Sequence, residues 1–164
     1  MESHEKHEGM IPAQMGGHYK MFALNLAISL LVMYLAMFAM IWSMGEFVQN
    51  LNFFYMALVM WAPMAIVMVL TMKSMLMNAR LNMILCAGFA LVLVLSFAGI
   101  RDQSFVNDRA FLKSMLPHHS GALTMCNRAS ISDPEIKELC FGPNGIVRSQ
   151  EREIEQMKRI LKRL

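Results

Sequence analysis

Two adjacent imidazoles follow a thioether by three and four residues at Met115, His118 and His119. Imidazole nitrogen and thioether sulfur are ligands for soft or borderline metal ions. On a helix, positions i, i+3 and i+4 share a face, so these three side chains can converge from consecutive turns. Pro117 interrupts the stretch: a proline removes one backbone donor and crowds the carbonyl four residues back, here that of Lys113, so the helix kinks or effectively begins near Ser114. Met125 and Cys126 each follow one of the histidines by seven residues and add two soft donors. A histidine pair at a helix start also serves as plain polar surface; the accompanying sulfur donors favour a metal.

The elements that must position these residues are set by composition. The chain has 164 residues, 56% of them hydrophobic and 16% charged, which is too apolar for an ordinary soluble domain. Apolar runs at 21–44, 53–72 and 81–100 each approach the roughly 20 residues that cross a bilayer as helix, and we read three transmembrane helices. The first run is too long for a signal peptide and lacks a small-residue cleavage site. Residues 1–20 form a polar N-terminal arm, 21–101 the membrane domain and 102–164 an extracytoplasmic metal-binding helical hairpin.

Short-loop charge orients the spans. Lys6 and Lys20 lie in the arm, and Lys73 and Arg80 in the second connection, whereas the first connection, Gly45 to Asn52, has Glu46 and no Lys or Arg. The N-terminus is then cytoplasmic and the C-terminal domain periplasmic or extracellular, in the inner (plasma) membrane of a bacterium.

Within the C-terminal part, Phe105 to Ala129 reads as helix and Ser130 to Asp133 as turn, with Ser132 and Glu135 in a capping-box pattern and Pro134 in the first turn. A second helix carries Ile136, Cys140, Val147, Gln150, Ile154, Met157, Leu161 and Leu164 on one stripe. Phe141-Gly142-Pro143-Asn144-Gly145 breaks it, leaving a long half from Ile146 to Lys162. A domain of about 60 residues is marginal alone. Two such hairpins paired across a two-fold axis make a four-helix bundle, so a homodimer is expected. The fold class is therefore all-α: three transmembrane helices and a hairpin that is half of a bundle.

Phe-Leu-Lys-Ser-Met-Leu-Pro-His-His-Ser-Gly-Ala at 111–122, Asp-Pro-Glu-Ile-Lys at 133–137 and Ser-Gln-Glu-Arg-Glu-Ile-Glu-Gln-Met-Lys at 149–158 resemble the bacterial domain-of-unknown-function family 305. The preceding spans, with Phe-Tyr-Met at 54–56 and Ala-Pro-Met at 62–64, resemble its membrane-anchored members. That resemblance implies a ferritin-like helical domain, usually periplasmic, in a family that includes copper-binding proteins of the CopM type. It implies Met115, His118, His119 and Met157 as copper ligands, with Gln150 beside them on the second helix. Longer members carry two such motifs in one chain and this one carries a single copy, in keeping with a dimer.

Methionine supplies a second signal, with 19 in the chain. Met56, Met60, Met64, Met68 and Met72 recur every fourth residue in the second span, and Met33, Met37, Met40 and Met44 at three to four in the first. Met is a flexible apolar filler that packs between helices without any metal. The same stripes, Met37, Met40, Met56, Met60, Met64 and Met68, would also serve as an ion path for Cu(I). The three spans, the Met-x-x-x-Met pattern and the arm with His4, His7, Met10, Met15 and His18 are similar to Ctr-type copper transporters. The Gly-x-x-x-Gly of that family's third span is missing, since Gly88 and Gly99 are too far apart and only Cys86 and Ala90 form a small pair.

Cys126 and Cys140 flank the hairpin turn; a disulfide and a Cys126 thiolate ligand are both open to them, and their unequal offsets from the turn favour free thiols. Cys86 in the third span reads as packing. There is no Ser-His-Asp signature, phosphate loop or Glu-x-x-His pair, Glu151 and Glu155 read as a solvated face, and a net charge of +3 is too small for nucleic acid. The expectation is a non-enzymatic membrane-anchored protein that binds copper, Cu(I) or Cu(II), in tolerance or homeostasis. Ag(I) or Zn(II) are further candidate ions, and membrane lipid, a second copy and copper-handling proteins the expected partners. The alternatives are a Cu(I)-conducting transporter and a structural membrane protein that recruits a partner through its hairpin.

Overall fold

A computed structural model describes residues 12–164, with side chains described from residue 17 onward. His4, His7 and Met10 lie outside the described residues, and of Met15 only the backbone is described. The elements are α1 (Pro12–Ala36), a 3-10 turn (Met44–Glu46), α2 (Leu51–Thr71), α3 (Ala79–Arg101), α4 (Asp108–Arg128), α5 (Pro134–Phe141) and α6 (Ile146–Arg163). No strand occurs among the described residues.

Three helices, over Gly17–Ala36, Leu51–Thr71 and Ala79–Arg101, are long and apolar enough to cross a membrane, consistent with membrane association. The second and third agree with the apolar runs; the first is displaced towards the N-terminus at both ends. Its start lies inside the supposed arm, because Pro12 suits a first helical turn and Tyr19 donates to Asn82 Oδ1 at 2.8 Å while Phe22 and Leu26 are buried. Its end comes at Ala36 rather than Met44, because Phe38 leaves the helix to be buried against Phe47 and Phe53, with ring centroids 4.3 and 5.0 Å away.

The three apolar helices, the candidate membrane domain and called the membrane domain below, are centred on α2, whose buried face is Ala57, Ala62, Ala65 and Val69. Small side chains let α3 approach closely, and Gly99 takes the ring of Tyr55 where a Cβ would stand 3.1 Å from Tyr55 Cζ. Trp61 donates from Nε1 to the Leu26 carbonyl at 2.8 Å, tying α2 to α1.

In the hairpin, α4 packs on α6 around Leu112, Leu116, Leu123, Ile154 and Met157, the resident core of this part. Asn107 caps α4 by accepting from the Ala110 amide at 2.9 Å, so the helix runs through Pro117 and starts well before Ser114. The cap of α5 is Asp133, not Ser132: its carboxylate accepts from the amides of Glu135 and Ile136, and the capping box does not form. The break between α5 and α6 falls where the Gly-Pro-Asn-Gly run places it. A Cβ on Gly145 would stand 2.8 Å from both the Cys140 carbonyl oxygen and the Gly142 nitrogen, so the turn admits only glycine there.

Cys126 and Cys140 are a disulfide, with Cα atoms 5.7 Å apart. This corrects the expectation of free thiols. Offsets counted along the chain ignore that Ala129 and Asp133 are extended and let α5 fold back, bringing both buried sulfurs together.

The hairpin is fastened to the segment that joins α1 to α2. The Trp42 amide donates to Ser120 Oγ at 2.6 Å, the Arg128 guanidinium lies 5.5 Å over the Trp42 ring, and Lys158 on α6 pairs with Glu46. The 37–50 connection and the hairpin therefore share one end of the membrane domain. The 72–78 connection lies at the other end, where His18 Nδ1 is 3.2 Å from the Met75 carbonyl oxygen.

Candidate metal centre

The histidine pair stands mid-helix on α4, and successive residues on a helix point about 100° apart. His118 and His119 accordingly face different neighbours, with ring centroids 6.3 Å apart. His119 turns to α6, where its Nδ1 lies 2.9 Å from Glu153 Oε2. That nitrogen is buried and, despite the short distance, makes no hydrogen bond, since the carboxylate oxygen does not meet hydrogen-bond geometry. The other carboxylate oxygen of Glu153 accepts from Ser149 Oγ at 3.0 Å, which steadies the carboxylate beside the imidazole.

His118 turns the other way, towards the membrane domain. It lines a cavity of about 430 Å³ whose wall also includes Met37, Met40, Met56 and Met125. Met115 faces neither: it packs against the hairpin core with Val48 and Val147. Met115, His118 and His119 thus do not face one point, and Met157, 8% exposed, is likewise part of that core. Gln150 is half-buried on α6. Cys126 is spent in the disulfide and offers no thiolate, which removes it from the candidate ligands. Among the described residues, no three His, Cys, Asp or Glu side chains converge as a metal-holding group.

The methionines of the spans divide by surroundings. Met68 and Met72 pack against the membrane-domain core, Met64 is half-buried, and Met56 and Met60 are exposed on the surface of α2. Repeats of four advance about 40° per step, so five of them sweep from the surface into the core rather than lining one channel wall. On α6, Glu155 is exposed with Arg159 3.9 Å away and Glu151 is exposed, as expected of a solvated face.

The residues that sequence reasoning did not single out are Glu153, Ser149, Glu46, Lys158 and Ser120. Glu46 carried a signal, as the acidic residue of a connection without Lys or Arg. It is 5% exposed. Burial pushes its carboxyl upward, but hydrogen bonds from Lys158 and Ser43 and the Lys158 charge outweigh this and hold it below the ordinary carboxylate value.

Residues 94–161, from the end of α3 into α6, match the family model described as "Domain of unknown function (DUF305)". A 66-residue stretch is 44% identical to "Uncharacterized protein L153" of Acanthamoeba polyphaga mimivirus, covering 38% of this chain and 40% of that protein. The chain thus matches less than half the length of this relative. No solved structure matches the chain.

Proposed function

We propose that the protein is a membrane-anchored, extracytoplasmic copper-binding protein acting in copper tolerance or homeostasis. The observation that carries this reading is the His119–Glu153 arrangement. The Glu153 carboxylate, 2.9 Å from Nδ1 though not hydrogen-bonded to it, favours a proton on that nitrogen by its charge, which would leave Nε2 as the lone-pair donor for a metal. Glu153 is held in turn by Ser149, and His118, turned towards the membrane-spanning helices, offers a second imidazole on a different face of α4. Two imidazoles accept Cu(II) or Zn(II) as well as Cu(I), and thioether participation shifts preference to Cu(I) or Ag(I).

The disulfide supports a compartment outside the cytoplasm, because such bonds persist where thiols are not kept reduced. The hairpin then faces the periplasm or exterior, and the N-terminus and the Lys73 connection face the cytoplasm of a bacterial cell. Ile136 and Leu139, one turn apart on α5, are 47% and 60% exposed and offer a small apolar patch to a second hairpin, so a homodimer belongs to the proposal. The mass of the detergent-solubilised protein, corrected for bound detergent, tests it, and a monomer refutes it.

Metal titration of the full chain in detergent tests the main reading against a His118→Ala/His119→Ala variant. Loss of copper stoichiometry in the variant is expected. Unchanged stoichiometry and affinity for every ion tried would remove the proposal and leave the His119–Glu153 pair as a structural bridge between α4 and α6.

A further inference from the structure

We propose that the cavity between the hairpin and the membrane domain is a binding site for a soft monovalent ion, Cu(I) or Ag(I), held by Met37, Met40, Met56, Met125 and His118. This rests on the copper-binding reading and goes beyond it, because three of the five donors belong to the membrane domain and none is Glu153 or His119.

The donor chemistry selects the ion. The cavity of about 430 Å³ is walled by four thioethers and one imidazole, and its other lining residues are Ala, Ile, Phe, Pro and Gly, with no carboxylate and no thiol. A neutral, sulfur-rich set suits a soft ion of single charge, whereas Zn(II) or Cu(II) in so apolar a place would lack anionic compensation. The ordinary role of methionine is to fill space, and Met68, Met72, Met115 and Met157 do so inside the two cores. The cavity methionines differ. They belong to neither core cluster, and Met40, Met56 and Met125 are 50%, 43% and 60% exposed, bordering open volume instead of occupying it.

The walls are brought together by contacts that no donor makes itself. The Trp42 amide on Ser120, the Lys158–Glu46 pair and Arg128 over Trp42 fasten α4 and α6 to the 37–48 segment. At Gly121 a Cβ would stand 3.9 Å from Met40, an ordinary van der Waals distance, so α4 already lies against this segment. Flexible thioethers on fastened walls can close on an ion without moving backbone. A bound ion would then join the hairpin to the membrane domain.

Ag(I) is the probe of choice, because it needs no reductant and spares the disulfide. Titration of the full chain in detergent compares the unmutated protein with Met37→Leu/Met40→Leu/Met56→Leu and with a Met75→Leu/Met83→Leu control outside the cavity lining; Leu nearly conserves volume. Removing a direct ligand should cost at least what removing a residue that orients one costs, so affinity should fall roughly 10- to 100-fold or more in the triple variant and stay unchanged in the control. X-ray absorption on the unmutated, Ag(I)-loaded protein depends on no variant folding and should show sulfur neighbours outnumbering nitrogen. A shell of nitrogen and oxygen alone, or equal affinity in the triple variant, overturns this site while leaving a histidine-only copper site standing. Absence of Cu(I), Cu(II) and Ag(I) binding by the unmutated chain overturns the copper reading itself.

Discussion

Lys158→Met and Glu46→Gln break the same ion pair, yet they should not cost the same. Removing one partner of a fully buried pair costs about 3–5 kcal/mol, because the remaining charge is stranded. In Lys158→Met the stranded group is the Glu46 carboxylate, whose side chain is 6% exposed. It keeps donors from Ser43, whose amide lies at 3.0 Å and whose hydroxyl also donates. At about 1 kcal/mol for each these offset part of the penalty and leave about 1–3 kcal/mol. In Glu46→Gln the remaining charge is the Lys158 ammonium, whose side chain is 39% exposed and can turn to water, so the cost should be about 1 kcal/mol. The pH dependence separates the two further. The native Glu46 pKa is depressed, so its contribution is present above the unfolded carboxylate value and is lost as pH falls through the folded one. Glu46→Gln should abolish that acid limb, whereas Lys158→Met, which leaves burial less opposed, should move it to higher pH. Denaturant unfolding in detergent, followed by Trp42 fluorescence in a Trp61→Phe background, measures both. Equal or reversed costs, or an acid limb unmoved in Lys158→Met, would refute the reasoning.

Replacing Cys126 and Cys140 together with Ser opens a loop with a sequence separation of 14 residues, and should cost about 3 kcal/mol of hairpin stability by chain entropy; thiol alkylation without reductant should leave only Cys86 modified in the native protein. Gly99→Ala brings a Cβ to 3.1 Å from a Tyr55 ring that is tethered by its hydroxyl to the Ser104 carbonyl. It should cost about 1–3 kcal/mol, less in a Tyr55→Phe background where the tether is gone, and equal costs in the two backgrounds would count against the account. Asp133→Ala removes the acceptor for two amides at the start of α5 and should lower hairpin stability by about 1 kcal/mol in the same denaturant assay, while Ser132→Ala should change nothing measurable.

What could be read from the chain alone followed from short-range physics. Long apolar runs specify spans at 51–71 and 79–101 to within two residues of the structure, because hydropathy and helix length are local properties. The Gly142 to Gly145 break and the helical hairpin were equally legible, since Gly, Pro and Asn-Gly act on their own backbone. The His-Met motif lies on one helix, α4, but helix spacing gives only the faces available and not what each face meets.

Tertiary structure decided the rest. Phe38 ended α1 early because aromatic partners at Phe47 and Phe53 lie on the far side of a turn, a preference invisible in an uninterrupted apolar run. Cys126 reached Cys140 through the path of an extended linker. His118 and His119 parted company because adjacent helix positions diverge and only packing says that one faces α6 and the other the membrane domain. Met125 is far in sequence from Met37, Met40 and Met56, and borders their cavity where Glu46 meets Lys158 and Trp42 meets Ser120. Residue type and spacing thus determined which donor side chains the chain owns and which helices carry them; the long-range contacts between the hairpin and the apolar helices determined which of those side chains border one cavity.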